Sequence, residues 1–293
     1  MKLLFLFTSL ILIPSMLNSQ TQGDPIYLNY SFYPTSEWEN AKGKASYQNL
    51  EANVVLPSFK LSKSTEVYTN LNYKLAHYNY KNGFEESLPE YLNDFRLGFI
   101  LRQSLNNNWE IVISPQLNLR TDFSNNAGMH SLFPSIGVLG LKTSAKNEDL
   151  IYGFGISYNN DLNKDAVFPV GYLKYSQSNF RIYTILPSFF HFVMTPSPRF
   201  EYGLSYRLES AIFKISENPE NTSKNYLKAS TITIAPTLAY NLHSKLWLNY
   251  RAGYAGYRGF QILNENFNET ELTLNNKFKS SFFATLGLSL RME

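Results

Sequence analysis

From about residue 26 onward the chain alternates apolar and polar residues with a period of two. Successive side chains of a strand point to opposite faces, so each run sorts into an apolar face and a polar one. Trp109, Ile111, Ile113, Leu117 and Leu119 alternate with Glu110, Val112, Ser114, Gln116, Asn118 and Arg120. Phe95, Leu97, Phe99 and Leu101 alternate with Asp94, Arg96, Gly98, Ile100 and Arg102. The same pattern runs over 150–159, 200–209, 246–255 and 282–291. Helical periodicity is almost absent. The chain is all-β, and the question is what kind of sheet it builds.

The segments between the runs answer part of it. "SKS" (62–64), "NNN" (106–108), "AKNE" (145–148), "QSN" (177–179), "TPSP" (195–198) and "HSK" (243–245) are short. "NYKNGFEESLPE", "DFSNNAGMH", "NNDLNKDA", "ENPENTSKN" and "ILNENFNETELTLNN" are long and polar. Short turns at one end and long loops at the other are the mark of a transmembrane up-and-down barrel. Pro187 tests that reading, because a central strand does not accept a proline. One strand over 180–193 gives an odd total. A reversal at Leu186–Ser188 gives about fourteen strands, with twelve as the alternative, and puts both termini on the periplasmic side. Even counts are the rule for single-chain bacterial barrels. Pro57, Pro115, Pro134, Pro169 and Pro236 sit in similar apolar settings. They are expected near the outer rim, at bulges or where pairing ends.

The N-terminus reads as a secretory signal: Lys2, an apolar stretch over Leu3–Ile13, Pro14, and a small residue at Ser19. Residues 1–19 are thus expected to be removed, leaving 20–293 as the barrel. Later in the chain there is no apolar run of the length that a membrane helix needs. The 293 residues include no cysteine, which excludes disulfides and thiol chemistry. A net charge of +3 gives no field for nucleic acid.

In a barrel the polar face lines a lumen. Arg96, Arg102, Arg120, Arg207 and Arg251 share that face with Glu66, Glu110, Glu201 and Glu209. Mixed signs permit ion pairs that brace neighbouring strands, and that reading is preferred over a selectivity filter. Two segments, "ILPSFFHFVMTPSPRFEYGLSYRL" (185–208) and "RAGYAGYRGFQIL" (251–263), resemble a domain of outer-membrane β-barrel proteins from Bacteroidetes-type bacteria. That family has no assigned function. The resemblance implies address and architecture and brings no catalytic residues.

No motif for chemistry is complete. His77, His130, His191 and His243 form no His-x-x-x-His pair. His130–Ser131 and His243–Ser244 are adjacent, so on a strand their side chains point opposite ways. "DLNKD" (161–165) has calcium-loop spacing but lacks the glycine and the final glutamate of such a loop. The expectation is a porin-like, non-enzymatic protein of a Gram-negative outer membrane without a cofactor. Its partners are membrane lipid and the barrel-assembly machinery. Its function is passive passage of small or hydrophobic solutes through or into the barrel. The alternatives are a structural or surface-interaction barrel with a plugged lumen, then a lipid-acting barrel enzyme.

Overall fold

The protein is described here from a computed structural model covering residues 24–39, 43–81, 88–123, 128–159, 166–215, 226–268 and 277–291. The strands are β1 (Ile26–Glu37), β2 (Lys44–Val55), β3 (Phe59–Lys60), β4 (Thr65–Lys81), β5 (Tyr91–Ser104), β6 (Trp109–Thr121), β7 (Leu132–Thr143), β8 (Leu150–Asn159), β9 (Ala166–Ser176), β10 (Phe180–Leu186), β11 (Phe189–Ser197), β12 (Phe200–Lys214), β13 (Tyr226–His243), β14 (Leu246–Leu263) and β15 (Ser281–Leu290). β3 is a two-residue stub beside β4. β2 pairs with β4 itself, from Lys44↔Lys81 to Val55↔Asn70. β1 closes the ring on β15, from Ile26↔Leu290 to Phe32↔Ala284. The wall is therefore a closed antiparallel barrel of fourteen strands. Closure joins the two edge strands of the sheet, as a bilayer demands of a β-protein. Among the described residues no helix is long and apolar enough to cross a membrane.

Alternation sets the two faces. On β12, Leu204 is 45% exposed on the outer face while its neighbour Ser205 is 3% exposed inside. Interior glycines let neighbouring strands approach. A Cβ on Gly155 would run into the Val138 carbonyl oxygen. The short turns share one rim of the barrel with the start of β1 and the end of β15. Asn107 and Asn108 both have positive φ there, as a tight hairpin between right-twisted strands requires.

The chain reverses at Pro187–Ser188, between β10 and β11, as the strand parity predicts. The other prolines divide. The β5–β6 ladder skips Pro115, passing from Gly98↔Gln116 to Leu101↔Ile113. The β13–β14 ladder skips Pro236, passing from Ile234↔Tyr254 to Thr237↔Arg251. Pro134 and Pro169 stay in register opposite Leu117 and Ile156. Pro57 is not near the outer rim. β2 descends from the rim of the long loops and ends at Val55, so residue 57 lies toward the rim of the short turns.

Strand lengths are uneven, and that shapes the outer half. β12, β13 and β14 have 15, 18 and 18 residues, whereas β10 and β11 have 7 and 9. Beyond the β10–β11 hairpin β12 leans inward and meets β6 in a parallel bridge, Lys214↔Thr121. Ile212 shows the lean. By alternation it shares the outer face of Leu204, yet it is 0% exposed and packs with Phe133, Tyr226 and Leu263. Above the hairpin the circuit is thus β1, β2, β4, β5, β6, β12, β13, β14 and β15. β8–β11 form a lower bay beside it.

Candidate functional site

The lumen is the place where polar side chains converge, and it has three levels. Nearest the short turns, Glu201 on β12 accepts from Arg181 of β10 at 2.9 Å and from Arg291 at 2.7 Å. The Arg291 guanidinium also lies 4.0 Å from the Trp247 ring centroid. Arg102 and Glu110 form a two-point pair across β5 and β6, at 2.6 and 3.0 Å. Glu66 accepts from the hydroxyls of Ser58 and Tyr68.

At mid-height, Asp94 is buried between Arg96 at 2.5 Å and Arg120 at 3.2 Å. Lys74 on β4 reaches across the lumen to Glu209 on β12, 2.6 Å away. Glu51 accepts from the Tyr27 hydroxyl and the Asn72 amide. Arg207 is 3.9 Å from Glu209 and lies over the Phe189 ring. Arg251 lies over Phe283. His191 shares a hydrogen bond with Thr237.

The outer level is aromatic. Tyr33, Tyr47, Tyr78, Trp38, Phe260, Phe278 and Phe283 form one buried cluster, joined by Leu92, Phe213 and Leu227. Tyr33 stacks on Tyr47 at 4.0 Å, and Trp38 meets Phe278 edge-on at 5.0 Å. Arg258 is only 2% exposed within it, over the rings of Tyr33, Tyr47 and Phe278. A desolvated guanidinium gains most from aromatic faces when water is excluded. A β-bulge puts it there. Thr233 pairs with Ala255 and Ile232 with Tyr257, so Gly256 is extra and the parity of β14 flips beyond it.

All nine charged residues singled out in the sequence lie on the inner face, but only some meet one another. Arg102 pairs with Glu110, and Arg207 makes a long contact with Glu209. Arg96 and Arg120 share Asp94 instead. Glu201 takes Arg181 and Arg291, and Arg251 stacks on an aromatic ring. Glu51, Lys74, Asp94, Arg181, Arg258 and Arg291 are among the charges that reading left out. Parity alone offers Lys74, Asp94 and Arg291, on the faces of Glu66, Arg96 and Thr285. Arg258 stands on the wrong parity until the bulge is known.

Open cavities are among the features of the described residues. One of about 310 Å³ lies at the rim of the short turns among Lys60, Lys63, Glu66, Arg102 and Glu110. Another, about 280 Å³, is lined by Tyr183, Ile185, Ser188, Phe189, Arg207 and Glu209. Among the described residues no three His, Asp or Glu side chains converge as metal ligands, and 161–165 lie outside those residues.

Fold and lumen together define a transmembrane β-barrel with a braced interior. The chain belongs to the family described as a domain of unknown function, DUF6268, whose pattern matches residues 15–291. No curated protein matches the sequence. Among solved structures it is similar to an outer membrane channel of Pseudomonas putida F1, at 10% identity and a TM-score of 0.40, covering 94% of this chain and 99% of that one. It is similar to the NanC porin at 10% identity and a TM-score of 0.37, covering 91% and 100%. The Pseudomonas putida toluene transporter TodX follows at 9% identity and a TM-score of 0.34, covering 97% and 93%.

Proposed function

We propose that the protein resides in a bacterial outer membrane and admits a small, largely apolar solute into the barrel, without holding an open aqueous pore. The observation that carries this reading is the aromatic cluster across the outer half of the lumen. An aqueous channel needs a continuous polar path. Here a polar solute entering from outside would meet packed Tyr, Trp and Phe side chains. Below them Lys74–Glu209 across the lumen and Arg181–Glu201–Arg291 along the wall act as braces and not as a selectivity ring. An open recess of about 280 Å³ beside Tyr183 and Phe189 offers apolar surface to such a solute.

The proposal includes removal of residues 1–19 on export, insertion into membrane lipid by the barrel-assembly machinery, and a Bacteroidetes-type source. A second reading, a structural barrel with a permanently plugged lumen, draws on the same cluster.

Two measurements on the purified protein separate these readings. In a planar bilayer no steady channel of porin size is expected. A neutral apolar fluorophore that brightens in apolar surroundings is expected to bind at one per barrel. A large steady conductance overturns the proposal. Absence of both conductance and binding leaves the structural barrel.

A further inference from the structure

Arg207 and Arg251 are held differently from most charges of the lumen. Arg102 meets Glu110 at two points, Arg96 and Arg120 share Asp94, and Arg181 and Arg291 share Glu201. The nearest carboxylate to Arg207, that of Glu209, is 3.9 Å away, and Lys74 already holds it at 2.6 Å. The Nε of Arg207 is buried without a hydrogen-bond partner. So are the Nε and Nη1 of Arg251, which has no carboxylate partner among the described residues.

Both side chains are stacked instead. Arg207 lies 5.4 Å from the ring centroid of Phe189, and Arg251 lies 4.9 Å from that of Phe283. A ring face attracts the charge of a guanidinium but leaves its N–H groups, which point outward in the guanidinium plane, without an acceptor. An unmatched N–H in a confined place costs stability, and an anionic oxygen is the acceptor that relieves it best. Stacking also fixes the orientation of the fork, so less freedom is lost when an acceptor arrives.

The charge balance at this level leans the same way. Among the mid-height residues described above, the cations Lys74, Arg96, Arg120, Arg207 and Arg251 outnumber the carboxylates Glu51, Asp94 and Glu209. Arg207 and Arg251 are within electrostatic reach of each other, and both act on Glu209 and His191. Like charges so placed repel, and an anion held by both offsets the repulsion. There is room for one. The Arg207 side chain is 34% exposed and lines the 280 Å³ recess, so an anion reaches it without unpacking the wall.

We propose that the lumen carries an oxyanion site at mid-height, in which Arg207 meets a carboxylate or phosphate group and Arg251 is the second cation. The group belongs either to a free anion or to the head of a larger molecule whose apolar part packs on Tyr183, Ile185 and Phe189. The inference goes beyond the apolar-solute reading above and does not need it.

The full mature protein in neutral detergent micelles is titrated calorimetrically with inorganic phosphate, butyl phosphate and glycerol at constant ionic strength. One phosphate per barrel is expected to bind, and glycerol is expected to give no binding heat. Arg207→Gln should weaken phosphate binding at least about tenfold, as loss of a charge-assisted contact does. Neither this variant nor Arg251→Gln removes a brace, because Lys74 keeps Glu209. Arg251→Gln should also weaken binding, and Arg207→Lys should restore part of what Arg207→Gln loses. Lys63→Gln, which removes an exposed cation of a short turn, should leave binding unchanged. Equal weakening by Lys63→Gln and Arg207→Gln marks an adventitious surface ion only and overturns the site. Failure of the unsubstituted protein to bind either phosphate overturns it without any variant. Butyl phosphate binding at least about tenfold more tightly than inorganic phosphate supports the site with an amphiphile as its source, and equal affinities support it with a free anion. Absence of binding by the neutral apolar fluorophore defeats the apolar-solute reading and leaves this inference standing, so the two fail separately.

Discussion

The barrel has a tall side and a low side. On the tall side β12–β14 run for 15 to 18 residues, and β14 reaches the aromatic cluster with Arg258 and Phe260. On the low side β8–β11 have 7 to 11 residues, and the inner face of β8 carries Gly153 and Gly155. Strands that outrun the lipid band have no acyl chains around their upper ends. The tall side therefore buries its apolar residues against the rest of the ring, and β12 leans in far enough to bridge β6. The low side stops within the band and leaves a bay. One covalent wall thus holds a protein-like core at its outer end and an ordinary lipid-facing barrel elsewhere.

The largest expected effect comes from emptying the core of the tall side. Phe260→Ala should cost about 3–5 kcal/mol, the usual penalty for a buried aromatic. Phe189→Ala, at the rim of the low side, should cost clearly less. Urea unfolding in lipid vesicles measures both, and equal losses would erase the distinction between the two sides.

Next is the pair Ile212 and Leu204, which share one face of β12 by sequence. Ile212→Ala should cost about 2–5 kcal/mol, because it empties a site packed on Phe133. Leu204→Ala should be nearly neutral, since lipid refills the space. If the two lose the same stability, β12 does not lean inward.

Leu204→Arg should destabilise by about 2–4 kcal/mol if that residue lies near the bilayer midplane. An arginine at Ser205, on the inner face, provides the contrast. Refolding into vesicles of both variants reads the inside/outside assignment, and a milder loss for Leu204→Arg than for Ser205→Arg reverses it.

The smallest effect probes the low side. Gly155→Ala places a methyl against the Val138 carbonyl, and should cost about 1–3 kcal/mol through a local shift of β7 and β8. Its melting temperature should fall while binding of an apolar probe beside Tyr183 changes little. Unchanged stability would mean the β7–β8 wall has slack.

Much of this was legible beforehand. The period of two gave the all-β class, and the inner face followed from parity, as Glu201 and Ser205 against Leu204 illustrate. The reversal at Pro187 followed from counting strands against the alternation of short and long connections. Partners were not legible. The match of Glu201 to Arg181 and Arg291 depends on register across strands far apart in sequence. Asp94 stood on the correct face, yet nothing local says that two arginines share it.

The sequence by itself determined which side chains face lipid along each regular strand and where the chain turns, because both are local consequences of the strand period and of turn chemistry. Tertiary structure decided the rest. Ring closure set which strand ends overhang and which stop short. The extra Gly256 turned Arg258 from the lipid parity to the interior, and the lean of β12 turned Ile212 from a lipid-facing residue into a core residue. Each of these depends on a bulge or on contacts across the ring, and alternation along a single strand carries no information about either.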